Sequence, residues 1–291
     1  MEHKKLIPVS VKCNKCSRTW SVSKEDFEKP IIICQDPECK NQFTVYEGIK
    51  NSLKNFEDHI FPNTFLSNDM FNQIVDIKIG YQVYIEMPKN IKKIYNVTII
   101  PTGPFLTGAV DITKEGFKIL TSLPDGGDKN LIGQNAKVFV IINAKTDDYN
   151  IPWMDMLQYA LEQLRNEEYL TSILFSEIAF ETYIDTTLTL GYKKYGLDED
   201  SISRFLVATE LPSKVNPLMY NLYRTKLASS SSWKSWEKKA LKWRNEIAHG
   251  SKLSATKEEA KLVYETVIDS IFYFIEEIDK YTKESERNNE K

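Results

Sequence analysis

Between Val75 and Met87 the apolar residues fall on every second position: Val75, Ile77, Ile79, Tyr81, Val83, Ile85 and Met87, with Asp76, Lys78, Gln82 and Glu86 between them. Successive side chains of an extended chain point to opposite sides, so this run fits a strand with one buried face and cannot line one face of a helix. Further strands are predicted at Tyr95 to Ile100, Ala109 to Thr113, Gly116 to Ser122 and Ala136 to Asn143, with PTGP and PDGGD as turns. Several short strands with turn signals imply an antiparallel sandwich or barrel-like domain over residues 49–150, entered through a helix around Ile49 to Ile60. Gly103, Gly108, Gly126 and Gly127 do not form a phosphate-loop pattern, and the carboxylates of PDGGD read as a surface turn. This segment is expected to recognise or to scaffold, not to catalyse.

All four cysteines precede it, as Cys13-Asn-Lys-Cys16 and Cys34-Gln-Asp-Pro-Glu-Cys39. Two short spacings across such a gap suit a tetrahedral Zn²⁺ site, each turn presenting two thiolates to one metal. Two disulfides or four free thiols are the alternatives, and a reducing compartment disfavours the bridges. Residues 1–48 thus resemble a zinc ribbon. A four-thiolate site leaves no position open for water, so the metal is expected to be structural, replacing a core that so short a segment cannot build.

The chain of 291 residues is long enough for two or three compact units, and 42% hydrophobic with 27% charged residues is ordinary for a globular protein. The N-terminus MEHKKLIPVSVK has no apolar run like a signal peptide, and no stretch approaches the roughly 20 apolar residues that span a bilayer. A cytoplasmic protein without a membrane segment is expected. The net charge of −3 gives no global attraction for nucleic acid, so any such contact needs a local basic patch. WKSWEKKALKWR, 233–244, supplies one, with three tryptophans among five basic residues. Positions 233, 236, 240, 243 and 247 form a helical stripe that packs inward, while Lys234, Lys238, Lys239 and Lys242 are either simply solvated or line a phosphate-binding rim.

From about Ile151 the period is helical. Helices are predicted at Pro152 to Asn166, Glu167 to Tyr195, Asp198 to Glu210, Asn216 to Ala228, Trp233 to His249 and Thr256 to Tyr281, forming an all-α bundle over 151–283 with a flexible tail at 284–291. Thr256-Lys-Glu-Glu259 is a capping box and Gly250 is placed to end the helix before it. On the second helix Leu170, Ile173, Leu174, Phe180, Ile184 and Leu188 make one stripe, with Glu177 near its centre and Glu181 at its edge. A carboxylate facing a core requires a partner. Arg244 is the candidate; the alternative is that the stripe faces another helix's lysines or a wet interface. Asn245 and His249, four apart, share a helix face that the long Arg244 side chain can reach, and His249 sits at the helix C-terminus, where the dipole favours a cation.

The sequence Arg244-Asn245-Glu246-Ile247-Ala248-His249, late in a helical segment and followed by Gly250, resembles the Arg-x4-His motif of the HEPN superfamily. The stretch WMDMLQYALEQLRNEEYLTSILFSEIAFETYI is similar to the opening hairpin of that bundle, as in HEPN domains attached to phage-defence proteins. The resemblance covers about the last 140 residues. It implies a metal-independent endoribonuclease acting as a homodimer, in which two motifs share one cleft and cut single-stranded RNA by 2′-hydroxyl attack. His249 would act as general acid or base, Arg244 would stabilise the charge on the pentacoordinate phosphorus, and Asn245 would orient His249 or a phosphate oxygen; the helix-face reading adds Glu177 or Glu181 as the group that holds Arg244. A toxin or anti-phage effector, with a trigger or regulatory partner acting through the zinc or β domain, is the biological expectation. Two alternatives stay open: a non-catalytic HEPN module that binds nucleotide or RNA, and a structural adaptor.

Overall fold

The computed structural model describes residues 9–55, 69–146 and 151–289, and the chain divides into two compact units, Met1–Asn150 and Ile151–Lys291. The division falls where the hydrophobic period changes from two to that of a helix.

The first unit opens with two small hairpins. Strand β1 (Val9–Lys12) pairs antiparallel with β2 (Thr19–Val22), and β3 (Ile32–Ile33) with β4 (Gln42–Phe43). Helix α1 (Val45–Leu53) follows, opened by a capping box in which the Thr44 hydroxyl accepts from the Glu47 N–H and the Glu47 carboxylate accepts from the Thr44 N–H. That box starts the helix four residues before Ile49, and it ends at Leu53, so a boundary between 48 and 49 would cut it; the expected reach to Ile60 runs into residues outside those described. Val45, Ile49 and Leu53 are buried on the face toward β1, where Val11 and Phe43 are also buried. Gly48 permits this approach, since a Cβ there would stand 2.6 Å from Val11 Cβ.

Six strands complete the unit: β5 (Asp69–Lys78), β6 (Val83–Glu86), β7 (Ile91–Pro101), β8 (Leu106–Val110), β9 (Gly116–Ser122) and β10 (Asn135–Thr146). They form two three-stranded antiparallel sheets, ordered β5-β10-β7 and β6-β9-β8. Both sheets feed one apolar cluster that includes Ile77, Ile85, Phe105, Phe117, Ile119, Val138, Val140 and Ile142. The alternating run from Val75 to Met87 is therefore not one strand. It turns a corner at Gly80 (φ +86), leaving Ile77 and Ile79 buried on one side and Ile85 and Met87 on the other, with Tyr81 58% exposed at the bend. The Thr121 hydroxyl holds this corner, accepting from the Gly80 N–H at 2.8 Å and lying 3.2 Å from the Tyr81 carbonyl. Strand β8 ends before Thr113 because Asp111 takes a left-handed turn (φ 51).

The second unit is helical: α2 (Pro152–Arg165), α3 (Tyr169–Lys194), α4 (Glu199–Val207), α5 over 211–223, α6 over 233–248 and α7 (Lys257–Asn289). Helix α3 runs through its middle, packed on α2, α6 and α7, with Ile173, Phe180, Ile184 and Leu188 fully buried. Gly191 lets α5 come close, because a Cβ there would meet Leu222 and the Tyr223 hydroxyl at 2.7 Å.

Several of the predicted boundaries move, and α4 already stops at Val207, not at Glu210. Helix α5 begins at 211, not at Asn216, and stops at Arg224 in a left-handed conformation (φ 57). Pro217 lies inside it, within a π turn, Lys214–Leu218. A proline ring clashes with the carbonyl four residues back and lacks an N–H, and the wider π turn accommodates both. Helix α6 carries a second π turn, Trp236–Ala240, yet its stripe stays inward: Trp236 and Ala240 are buried, and Trp233, Trp243 and Ile247 half-buried. Helix α7 continues through the expected tail to Asn289, where no glycine or proline interrupts and Lys280–Glu277 and Lys283–Asp279 pairs lie along the helix.

The close approach at Gly48 makes a prediction. In an open helix Gly48→Ala would stabilise by about 1 kcal/mol, but overpacking costs about 1 to 3 kcal/mol. The variant is expected to melt lower than wild type by circular dichroism; a higher midpoint would mean that α1 does not touch β1 at this position.

Candidate functional site

Helix α3 places Glu177, Glu181 and Asp185 at successive four-residue steps, on one side. Glu177 is 1% exposed, whereas the side chains of Glu181 and Asp185 are 36% and 37% exposed. Two cations meet the row. Lys214, presented by the π turn of α5 and itself 3% exposed, puts Nζ 2.8 Å from Asp185 Oδ1 and 3.7 Å from Glu181 Oε1. Arg244 on α6 puts NH2 3.4 Å from Glu181 Oε2 and donates from NH1 to Asn245 Oδ1 at 3.2 Å.

Three carboxyls against two cations leave one carboxyl without a counter-charge. Burial decides which. Desolvation raises Glu177 from its ordinary 4.5 to about 8; Arg244 and the Trp236 indole pull the other way, and the Glu181 charge adds to the rise. Neither Glu177 oxygen closes a hydrogen bond with a described residue, although the Trp236 N–H faces it. Burial thus favours the neutral form of Glu177 near pH 7, leaving Glu181 and Asp185 facing Lys214 and Arg244. Burial also raises Asp185, against the opposing pull of Lys214.

His249 is the C-cap residue of α6. Its N–H donates to the Asn245 carbonyl at 3.0 Å, Gly250 (φ 72) donates to Ile247, and the Ser251 N–H reaches the Glu246 carbonyl at 2.8 Å. Beyond it, Lys252 Nζ lies 2.9 Å from Glu259 Oε1 and 5.2 Å from the Trp243 ring centre, while Glu259 closes the capping box with Thr256. The loop after His249 is thus tied to both flanking helices. Asn245 and the His249 imidazole are exposed, and the imidazole makes no hydrogen bond among the described residues. Arg244 and Asn245 are joined directly, and His249 stands one turn further on. Lys234, Lys238, Lys239 and Lys242 lie on the exposed side of α6, with Lys242 3.7 Å from Glu246.

The expected pairing of Arg244 with an α3 glutamate falls on Glu181, with Glu177 as a buried acid beneath it. Sequence reasoning missed Asp185, Lys214 and the placement of Trp236 beside Glu177. Asp185 was within reach, as the next four-residue step after Glu181; Lys214 carried no signal, because nothing local distinguishes a buried lysine from a solvated one.

In the first unit the four cysteine sulfurs lie within 4.8 Å of one another, with Cys13–Cys39 at 3.7 Å and Cys16–Cys34 at 3.5 Å, and all four are free of disulfides. A tetrahedron with metal–sulfur bonds of about 2.3 Å has edges near 3.8 Å, so the four can hold one metal ion. The two turns are built alike: Cys13 N–H donates to Arg18 and Cys34 N–H to Asn41, and Ser17 and Lys40, each just after the second cysteine, have φ of 62 and 47. The N–H groups of Lys15 and Asp36 point at the sulfurs of Cys13 and Cys34 at 3.4 and 3.5 Å. Burial raises Cys13, but the N–H groups of Cys16 and Lys15, together with the Cys39 and Cys34 thiols, outweigh it and bring it down to about 6; burial takes Cys34 up to about 12. No helix among the described residues is long and apolar enough to cross a membrane.

Two predictions follow from this geometry. The chain is expected to carry close to one metal ion by elemental analysis, and Cys34→Ser to unfold the hairpin module while the helical unit keeps its circular dichroism; a metal-free protein with two disulfides would contradict the site. For Glu177, the folded state holds the proton to about pH 8 and the unfolded chain releases it near 4.5, so stability falls as pH rises through that window. The limiting slope is about 1.4 kcal/mol per pH unit, and Asp185 adds in the same direction. Glu177→Gln, neutral at every pH, is expected to flatten the fall in urea-unfolding stability between pH 5 and 8, and equal slopes would show that Glu177 is ionised.

No family model, curated protein or solved structure matches this chain.

Proposed function

We propose that the helical unit is a metal-independent endoribonuclease of the HEPN kind, working as a homodimer on single-stranded RNA. The observation that carries the reading is Arg244, half-exposed and held by the α3 carboxylate Glu181, one helix turn before an exposed His249 on a firmly closed helix end. Two of the five guanidinium N–H donors are engaged by Glu181 and Asn245, and three remain for phosphate oxygens.

In the reaction, one His249 takes the proton of the 2′-hydroxyl as its oxygen bonds to phosphorus. The bond from phosphorus to the 5′-oxygen breaks, and His249 of the second copy returns a proton to that oxygen. The products are a 2′,3′-cyclic phosphate and a 5′-hydroxyl. Arg244 stabilises the charge on the five-coordinate phosphorus, where oriented donors act most strongly. One Arg and one His supply neither two proton transfers nor enough charge for that species, which is the chemical reason for two copies. The exposed lysines 234, 238, 239 and 242 guide the phosphate chain. The cysteine cluster holds a structural Zn²⁺, and the zinc-bearing and β-rich unit senses a trigger in a toxin or antiviral system.

One observation favours the second reading, a module that binds RNA or nucleotide without cutting: the His249 imidazole has no hydrogen-bonded orienter among the described residues. The two readings separate in one assay. Purified protein in excess EDTA is expected to cut single-stranded RNA and spare DNA, with His249→Ala and Arg244→Ala each slower by about 10² to 10⁴. Equal rates in wild type and both variants would assign the cleavage to a contaminant. An inactive wild type that still binds RNA through Arg244 would establish the binding module.

A further inference from the structure

We propose that Lys214 is a positioning residue for Arg244, acting through the carboxylate of Glu181. The proposal rests on the reading of Arg244 as the group that stabilises phosphate charge. It adds a third helix, α5, to a site otherwise built from α3 and α6.

One carboxylate is shared between two cations. Glu181 turns Oε1 toward Lys214 Nζ at 3.7 Å and Oε2 toward Arg244 NH2 at 3.4 Å. A glutamate and an arginine that are each 36% exposed make a weak and mobile pair on their own, since solvent screens the attraction and both chains are long. Lys214 changes this because it is buried. Its side chain is 3% exposed, and its Nζ donates to Asp185 Oδ2 at 3.0 Å with Oδ1 2.8 Å away, so that the aspartate anchors it. A cation fixed in the interior draws one oxygen of Glu181 inward and leaves the other aimed at Arg244.

The backbone that delivers Lys214 is specialised too. Lys214 opens the π turn that contains Pro217, and this turn packs against α3. A π turn shifts the side chains around it relative to a regular helix, and such turns recur at functional sites. Asp185 by itself meets the need of a buried lysine for a counter-charge. The reach to Glu181, and through it to Arg244, is a further connection that a purely structural ion pair does not require.

The experiment follows the Arg244 Nε–H signal by NMR in the full-length, metal-loaded, ¹⁵N-labelled chain, assigned through its loss in Arg244→Lys, alongside RNA cleavage kinetics. Lys214→Met is expected to release the guanidinium, dropping its heteronuclear NOE toward that of an unpaired surface arginine. With it, kcat should fall by about 10²-fold, the cost of misplacing a reacting group by about 1 Å, while KM stays within a few-fold. Lys214→Arg, which keeps the cation, should recover a large part of both. Lys214→Met combined with Asp185→Leu removes both partners of the buried pair and carries the test if the single variant fails to fold. The double variant is expected to leave Arg244 as mobile as Lys214→Met does, because Glu181 still lacks its inner cation. An Arg244 signal that is unchanged in folded Lys214→Met, or that is restored in the double variant, would overturn the proposal and reduce Lys214 to a structural partner of Asp185. A wild type that cuts no RNA while its Arg244 signal depends on Lys214 would sink the ribonuclease reading and leave this proposal standing.

Discussion

Three carboxyl groups spaced one turn apart on α3 and two cations to meet them, with Glu177 and Lys214 buried and the rest at the surface: this constraint organises the helical unit. Ions removed from water are costly unless paired and hydrogen-bonded, and breaking a buried pair typically costs about 3 to 5 kcal/mol. That penalty falls on Lys214, the buried cation, and holds α5 where Lys214 reaches Asp185, while Arg244 meets the row at its exposed edge. Burial pushes the deepest acid, Glu177, beside Trp236, toward its neutral form, while the two outer carboxylates face the cations. Glu177 thus behaves as a polar core residue, and Glu181 is the carboxylate that communicates with the surface.

The two π turns belong to the same scheme. One begins at Lys214 and the other at Trp236, and these are the residues that α5 and α6 direct toward the carboxyl row. A regular helix repeats every 3.6 residues; a wider turn breaks that phase and lets one polar side chain face inward while the apolar stripe stays packed. In α6 this lets Trp236 and Ala240 remain in the core while Arg244, one turn later, reaches the edge of α3.

The first unit solves a different problem. Its hairpins contribute few buried side chains beyond Val11, Val22, Ile32 and Phe43, and α1 and four converging thiols complete a core that two-residue strands cannot supply. The neighbouring strands need no such aid, since two sheets contribute to one continuous apolar cluster and a single hydroxyl, that of Thr121, fixes the corner between them.

What the sequence determined by itself is the set of local periods and spacings. Two cysteine pairs specified two knuckles because each turn is closed within a few residues. The capping boxes at Thr44 and Thr256, the turn at Gly250 and the buried stripe of α3 were legible for the same reason: the interactions that define them lie within one or two helical turns. The Arg244, Asn245 and His249 triplet was visible as well, as was the need of Glu177 and Glu181 for a partner. Tertiary structure decided what depends on groups distant in the chain. It split one alternating run between two sheets, because alternation continues unchanged through a glycine corner and carries no mark of it. It chose Glu181 over Glu177 as the partner of Arg244, and it brought in Lys214, 29 residues beyond Asp185. Long-range electrostatics follows from which charges are deprived of water together, and that is settled only when the helices have packed.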